Sequence, residues 1–293
     1  MINTQKEKNI FITHEWVSLI KNQSKYAAKV VEIIIENESY YILEFKIYIF
    51  KIWKVYGVME NLKELFDRAK EKKVTLVECN FNMSRYLDLQ MLNDNGCLIT
   101  LNFGSHVLDL SKTEDELWNL VHSKHRNVIR KAEKERVIVK EELNLQEFNA
   151  LLEVVYEKGG NSSHWSIDYL DDLRKTFSNN LLLVGSFYED VLQAGAVIIF
   201  DQSNAYYLHG AVSSSAISGS SNLLQWEIIK KLKRAGLNKY DFGGARLDTA
   251  DTRLQGIFKF KERFGGIYTN CYYWEKGIIN YKYFFYKILK KLR

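Results

Sequence analysis

The segment that decides the fold is residues 205–244, AYYLHGAVSSSAISGSSNLLQWEIIKKLKRAGLNKYDFGG. Its tyrosine-rich first part, 205–212, has the apolar content of a buried strand, and the Ser/Gly-rich residues 213–221 indicate a loop. Apolar residues then recur at helical spacing over 222–235, and 239–242 indicates a second, short strand. Strand, loop, helix and strand in this order predict an α/β unit in which the helix begins next to the loop.

The rest of the chain repeats this order. Residues 181–188 and 191–200 indicate two more strands ahead of the segment. Nearer the N-terminus, β-rich runs at 28–36 and 40–55 precede a predicted helix at 61–72 and an apolar run at 74–78. The repeat predicts an α/β (α+β) fold with a mixed sheet in two tandem units. We expect these units at 1–108 and 109–277, with a basic amphipathic helix over 278–293.

A basic helix is predicted at the start of the second unit. Two overlapping helix-start boxes, Ser111 with Glu114 and Thr113 with Glu116, place its beginning. Apolar residues continue at helical spacing as far as Ala132, so a single helix is predicted. Its second half carries the cations Lys124, His125, Arg126, Arg130, Lys131 and Lys134. As a solvated face these charges would simply complement the helix dipole.

Three motifs carry a resemblance to a known family. They are the basic helix with Lys124, Arg126, Ile129, Arg130, Lys131, Ala132 and Lys134; the residues 223–226 and 240–244, LLQW and YDFGG; and Gly256, Ile257, Phe260, Lys261, Phe264, Gly265 and Gly266. In them the chain resembles the FemA/FemB/FemX group of non-ribosomal peptidyl transferases, which are built from two tandem GCN5-related N-acyltransferase (GNAT) units. The resemblance implies an acyltransferase with no permanently bound cofactor.

The resemblance also implies catalytic residues. Phe260 and Lys261 would form a pair in which the lysine stabilises negative charge at the acyl donor or at a tetrahedral oxyanion. The alternation of Phe258 and Phe260 with lysines is typical of a strand. His209 and Asp241 are candidates for acid/base chemistry, since an attacking amine must lose a proton. A lone histidine among aromatic residues is also commonly structural, and a lysine is commonly solvated.

The candidate substrate-binding residues fall into three groups. Arg126 and Arg130 lie four positions apart on the predicted helix, so both could reach one diphosphate. Gly243 and Gly244 follow a strand and would let a ligand approach the backbone. The third group comprises His164 and Trp165 in a polar loop, Tyr207 in a strand, and Ser221 and Asn222 at a helix start, where backbone N–H groups favour an anion.

Composition limits the partners, metal sites and cellular location that the sequence allows. The 293-residue chain is 46% hydrophobic and 26% charged, with a net charge of +5. That charge allows an anionic small molecule, an RNA end or an acidic membrane surface as a partner. The three cysteines lack metal-ligand spacing, and His122 and His125 have no third ligand, so we expect no metal. A polar N-terminus and the lack of an apolar run of about 18 residues predict a cytoplasmic protein.

These features predict an acyl- or aminoacyltransferase that forms an amide on an amine of a peptidoglycan precursor, by direct attack within a ternary complex. The resemblance implies a UDP- or lipid-diphosphate-linked acceptor and aminoacyl-tRNA as the donor. A first alternative is an acyl-CoA-dependent N-acyltransferase acting on a nucleotide-linked amino sugar for surface polysaccharide. The loop 213–221 departs from the Gln/Arg-x-x-Gly-x-Gly/Ala pattern of CoA-using enzymes. A second alternative is a non-catalytic scaffold that binds RNA or a partner.

The C-terminal residues 279–293, INYKYFFYKILKKLR, carry a helical apolar stripe. Its members are Tyr281, Phe284, Phe285, Ile288, Leu289 and Leu292. A final helix packed on the core and an interfacial helix are both compatible with this pattern. In the second case Tyr281 to Arg293 would contact anionic lipid at the inner membrane face.

Overall fold

The computed structural model describes residues 9–24, 26–57, 61–81, 88–158, 165–246 and 248–291. It divides into two compact units, the first formed by Met1–Gly104 and Thr269–Arg293 and the second by Ser105–Tyr268. The boundary between Gly104 and Ser105 thus falls close to the expected boundary near Asp109. Residues 269–277, however, belong to the first unit and not to the second, and so does the C-terminal helix.

The helices and strands follow one another in this order: α1 (His14–Asn22), β1 (Ala28–Ile35), β2 (Glu38–Ile47), β3 (Phe50–Lys54), α2 (Leu62–Glu71), β4 (Leu76–Cys79), α3 (Leu89–Asp94), β5 (Leu98–Asp109), α4 (Glu114–Leu120), α5 (Ser123–Lys134), β6 (Ile138–Lys140), α6 (Leu145–Lys158), α7 (Ile167–Thr176), β7 (Leu181–Tyr188), β8 (Val191–Phe200), β9 (Asn204–Val212), α8 (Ser220–Arg234), β10 (Lys239–Ala245), α9 (Thr252–Glu262), β11 (Ile267–Gly277) and α10 (Asn280–Lys291). A short 3₁₀ turn, Ile10–Ile12, precedes α1.

The sheet of the first unit has the order β1-β2-β3-β4-β11. Strands β1, β2 and β3 form an antiparallel meander, and β4 returns parallel to β3 after α2. Strand β11 pairs antiparallel with β4, with Trp274 opposite Cys79. This pairing joins residues nearly 200 positions apart, which is why local patterns assigned β11 to the wrong unit. The run predicted at 40–55 is two strands, because the backbone turns at Tyr48, whose φ is +53°.

The second unit has the strand order β10-β9-β8-β7-β6. Strands β6 to β9 are antiparallel neighbours, and β10 lies parallel to β9 after the crossover through α8. The predicted order of strands, loop, helix and strand is therefore confirmed. One face of this sheet packs on α8 through a core that contains Ile198, Leu224 and Ile229. On the other face, Phe148 of α6 lies against Gly195 of β8.

The predicted single basic helix is in fact two helices, α4 and α5. The capping box of Thr113 and Glu116 forms, with the Thr113 N–H donating to Glu116 Oε2 at 2.7 Å. The other expected box, Ser111 with Glu114, does not form, because the Ser111 hydroxyl donates to Asp109 instead. Val121 is extended and ends α4, and His122 caps α5 by accepting from the Lys124 N–H. Apolar spacing continues across the break, so periodicity could not reveal it.

The expected strand around Phe260 is wrong, since these residues lie in helix α9. Asp251 begins the helix by accepting hydrogen bonds from the N–H groups of Arg253 and Leu254 at 2.8 and 3.3 Å. A side-chain cap of this kind satisfies backbone donors that a strand would have to pair elsewhere. In the helix Phe260 packs against the core of the second unit, whereas Phe258 contacts His106 and Tyr268.

Candidate active site

A cluster of candidate residues lies at the end of β10 in the second unit. Strand β10 supplies Asp241, Gly243 and Gly244, helix α9 supplies Lys261, and β9 supplies Tyr207. The strand is buried along most of its length, so it places these groups on a rigid support. Each group was predicted from the sequence as a site residue. The structure brings Lys261 to the Gly244 carbonyl and the Tyr207 ring. Asp241 lies opposite Tyr206 and between the core residues Tyr240 and Phe242, so its side chain points to the other face of the sheet, where it holds the Gly243 backbone.

Asp241 holds the backbone at this end of the strand. Its carboxylate oxygen Oδ1 accepts from the Gly243 N–H at 2.7 Å and lies 2.5 Å from the Ser105 hydroxyl. The same hydroxyl is 2.7 Å from the Gly243 carbonyl oxygen. Gly243 has a φ of +73°, which side chains with a Cβ rarely adopt. The side chain of Asp241 is buried, and its contacts favour a positioning role over proton transfer.

Lys261 brings a positive charge to the same place. The side chain is 9% exposed, and its Nζ donates to the Gly244 carbonyl oxygen at 2.9 Å. Nζ also lies 5.9 Å from the centre of the Tyr207 ring. An ammonium held by a backbone carbonyl and an aromatic face is oriented before a ligand arrives. In a site that excludes most water, such a charge can stabilise an oxyanion strongly.

Tyr207 is fixed by its neighbours. Its hydroxyl lies over Gly210, where a Cβ would be 1.6 Å from the hydroxyl oxygen. Gln225 of α8 hydrogen-bonds to Tyr207 and accepts from the Tyr240 hydroxyl at 2.8 Å. Burial raises the pKa of Tyr207 to about 12. The phenol is therefore neutral at physiological pH and available as a hydrogen-bonding group.

His209 is separated from this cluster by a β-bulge. Ile198 lies opposite Tyr207 and Val197 opposite His209, so Leu208 is an extra residue in β9. Residues directly opposite one another share a face. Ile198 belongs to the core on the α8 side, so Tyr207 points to that face and His209 to the other. The structure thus does not bring His209 together with Lys261.

On its own face His209 is part of a buried aromatic cluster. Its Nε2 is 3.2 Å from the Tyr169 hydroxyl, and the Trp165 ring centre lies 5.3 Å from the imidazole. Burial lowers the pKa of His209 to about 3, so the imidazole is neutral at pH 7. These contacts favour the structural alternative for both His209 and Trp165. His164, the other candidate in this loop, lies outside the described residues.

Arg126 and Arg130 both lie near the end of α4. Arg126 donates from one guanidinium nitrogen to the carbonyl oxygens of Val121, Asn119 and Trp118 at 2.6, 3.2 and 3.3 Å. It therefore caps the C-terminal carbonyl groups of α4. Arg130 is exposed and lies over the Trp118 ring at 5.4 Å. The two arginines share a helix face, as predicted, but only Arg130 is directed to solvent.

The start of α8 lies against the α5 backbone. Gly219, which precedes the helix, has a φ of +93°, and a Cβ there would lie 2.1 Å from the Val128 carbonyl oxygen. Of the two candidates in the first turn, Asn222 is buried and Ser221 is half-buried. A carbonyl oxygen so close to the loop repels an anion. This position therefore suits a phosphate less well than the sequence predicted.

Two residues of the cluster had no functional signal in the sequence. Ser105 reaches Asp241 from 136 positions away, and Gln225 appeared only as a variable position in the LLQW motif. Within the described ranges, no group of three or more His, Cys, Asp or Glu side chains is arranged to hold a metal ion. Among those same residues, no helix is both long and apolar enough to cross a bilayer.

Comparison with known proteins shows which domains and folds the chain is similar to. The family model described as "Acetyltransferase (GNAT) domain" matches residues 121–261. A stretch of 79 residues is 33% identical to lipid II:glycine glycyltransferase from Staphylococcus epidermidis. That stretch is 26% of this chain and covers 19% of the curated relative, so most of that protein's length is unmatched.

Solved structures extend the likeness to the whole fold. The crystal structure of FemX superposes with a TM-score of 0.75 at 15% identity, covering 96% of this chain and 95% of that chain. A tandem GNAT protein from the clavulanic acid biosynthesis pathway gives a TM-score of 0.52 at 9% identity, covering 89% of this chain and 87% of that one. At these identities the likeness concerns the fold. Residues 121–261 thus match the GNAT domain model, and the chain shares the fold of FemX, as its motifs predicted.

Proposed function

We propose that the protein is an acyltransferase that forms an amide on an amine of a peptidoglycan precursor. The observation that carries this proposal is the buried Lys261 ammonium, held by the Gly244 carbonyl and the Tyr207 ring inside a GNAT domain. The local match to a lipid II:glycine glycyltransferase supports the substrate class. The acceptor in this proposal carries a UDP or lipid diphosphate.

The donor in our proposal is an aminoacyl-tRNA. The acceptor amine attacks the ester carbonyl carbon, and Lys261 stabilises the negative charge that develops on the carbonyl oxygen. Attack forms the C–N bond, and the tetrahedral intermediate then collapses by reforming the carbonyl and breaking the bond from the carbonyl carbon to the ribose oxygen. The proton released by the amine ends on that departing hydroxyl. Both substrates are bound at once and the amine itself attacks the donor ester, so no covalent enzyme intermediate is formed.

Acyl-CoA is the alternative donor, and the start of α8 argues against it. A CoA pyrophosphate would need anion-binding groups in the loop before this helix. Val128 places a carbonyl oxygen there instead, and the loop lacks the expected glycine pattern. Diphosphate binding by the acceptor is better assigned to the exposed Arg130 than to Arg126, because Arg126 already caps α4.

The test is an amide-forming assay with three donor and acceptor combinations, read by mass spectrometry. We expect product from aminoacyl-tRNA and a UDP-linked or lipid-linked muropeptide, and none from the Lys261→Ala variant. Product from acyl-CoA and a nucleotide-linked amino sugar would favour the polysaccharide alternative. If no combination reacts and none raises the melting temperature, the non-catalytic alternative stands, because a bound ligand at 100 times its Kd adds about 2.7 kcal/mol.

A further inference from the structure

Helix α10 is attached to the first unit through its tyrosine face. The Tyr283 hydroxyl donates to Glu275 Oε1 at 2.6 Å, and Lys287 forms an ion pair with the same carboxylate. The Tyr286 ring packs edge-on against Phe50 of β3 at 5.6 Å between ring centres. These contacts fix which side of the helix faces the unit.

The opposite side of α10 is apolar and exposed. Its residues are Tyr281, Phe284, Phe285, Ile288 and Leu289, with exposed fractions of 64, 62, 57, 41 and 47%. The helix therefore turns a lysine and two tyrosines inward and its larger apolar stripe outward, which is the reverse of a helix that seals a core. A contiguous exposed patch of this kind marks an interaction surface.

The charge around the stripe identifies the partner. Lys282 and Lys291 flank the stripe at helical spacing, Lys290 lies over the Tyr286 ring on the other side, and residues 276–293 contain no Asp or Glu. An amphipathic helix with an apolar face and flanking cations lies in the interface of an anionic bilayer. A surface that binds another protein also carries polar groups that form specific hydrogen bonds with the partner. This surface instead offers apolar side chains and positive charge.

We propose that α10 docks the protein on an anionic membrane surface, with the stripe inserted between the lipid headgroups. The tip of the β2–β3 hairpin adds a second contact, since Ile49 is 69% exposed and directly precedes Phe50, which packs on α10. Docking would bring the enzyme to the surface where a lipid-linked acceptor lies, and this purpose rests on the proposed function. The binding itself does not depend on catalysis.

The experiment is sedimentation of the full chain with vesicles of phosphatidylcholine alone or mixed with phosphatidylglycerol. We expect the protein to pellet with the mixed vesicles at low salt and to be released at high salt. The double variant Phe285→Asn/Leu289→Asn should lose at least tenfold in partition coefficient. Lys282→Gln/Lys291→Gln should lose roughly thirtyfold for anionic vesicles, at about 1 kcal/mol for each cation.

Val191→Asn is the matched control, because Val191 is an apolar residue with 62% exposure in the second unit. It should bind vesicles like the wild type. Point variants are preferred to truncation, which would uncover Phe50 and Glu275. Failure of the intact protein to pellet at low salt would overturn the proposal. So would a concentration-dependent dimer that the Asn variant abolishes without any effect on vesicle binding.

Activity separates this proposal from the proposed function. On a soluble UDP-linked acceptor, the α10 variants should turn over like the wild type if the proposed function is correct. Vesicle binding with no activity on any acceptor would leave membrane docking intact and refute the acyltransferase proposal. Activity with no vesicle binding would support the acyltransferase proposal and refute membrane docking.

Discussion

The ammonium of Lys261 is the group on which the proposed chemistry depends most. We expect Lys261→Ala to lower turnover by about a hundredfold or more, the size typical for loss of one oxyanion-stabilising donor. Lys259→Ala is the matched control, since Lys259 lies on the same helix but is exposed. Equal turnover of the two variants would remove Lys261 from the mechanism.

His209 makes a prediction about stability instead of catalysis. Burial holds its pKa at about 3 in the folded state, below the value near 6.5 of a solvated histidine. The unfolded chain therefore binds more protons between these values, and this group's contribution to stability is lost as the pH falls. From pH 7 to pH 5 the loss is about 2 kcal/mol.

The measurement is denaturant unfolding of the wild type and of His209→Gln at pH 7 and pH 5. Gln keeps a polar group near Tyr169 but does not titrate. We expect the free energy of unfolding to fall less in the variant over this range. An identical fall in both proteins would show that the pKa of His209 does not change on folding.

At the scale of elements, the junction of α5 and α8 depends on Gly219. Gly219→Ala should destabilise the protein by about 3 kcal/mol, since it adds an unfavourable φ to a clash with the Val128 carbonyl. Gly236→Ala measures the cost of the unfavourable φ alone, because φ is +79° at Gly236 and a Cβ there meets nothing within 4 Å. Its expected cost is about 1 kcal/mol.

Helix α9 supplies the opposite control. Gly256 lies within this helix, and a Cβ there has open space around it. Gly256→Ala should therefore stabilise the protein by about 0.5–1 kcal/mol. Thermal melting of the three variants tests the set, and a Gly219→Ala variant as stable as Gly236→Ala would contradict the close approach of α5.

The break between α4 and α5 divides the roles of the two arginines. Arg126→Gln should lower the melting temperature, because three carbonyl groups at the end of α4 lose their donor. Arg130→Gln should leave the melting temperature nearly unchanged and raise the KM for a diphosphate-linked acceptor. A raised KM in the Arg126 variant without loss of stability would reverse this assignment.

At the scale of the whole molecule, the two-unit plan could be predicted from the sequence, but its connections could not. The repeated order of strands and helix was visible because apolar periodicity is a local property. The return of β11 to the first unit depends on its pairing with β4, a contact between residues far apart in the chain. No local pattern specifies such a pairing.

The sequence by itself determined the family resemblance, the elements around 205–244 and the residues Tyr207, Asp241, Gly243, Gly244 and Lys261. Only the tertiary structure decided that Lys261 meets Gly244 and Tyr207, and that Asp241 supports the Gly243 backbone from the other face of the sheet. It also decided that Ser105 and Gln225 hold these residues and that a bulge turns His209 away from Lys261. The physical reason is that residue type and spacing encode local conformation. Which side chains share a site depends on register, helix caps and close backbone contacts, and these form only when distant segments pack together.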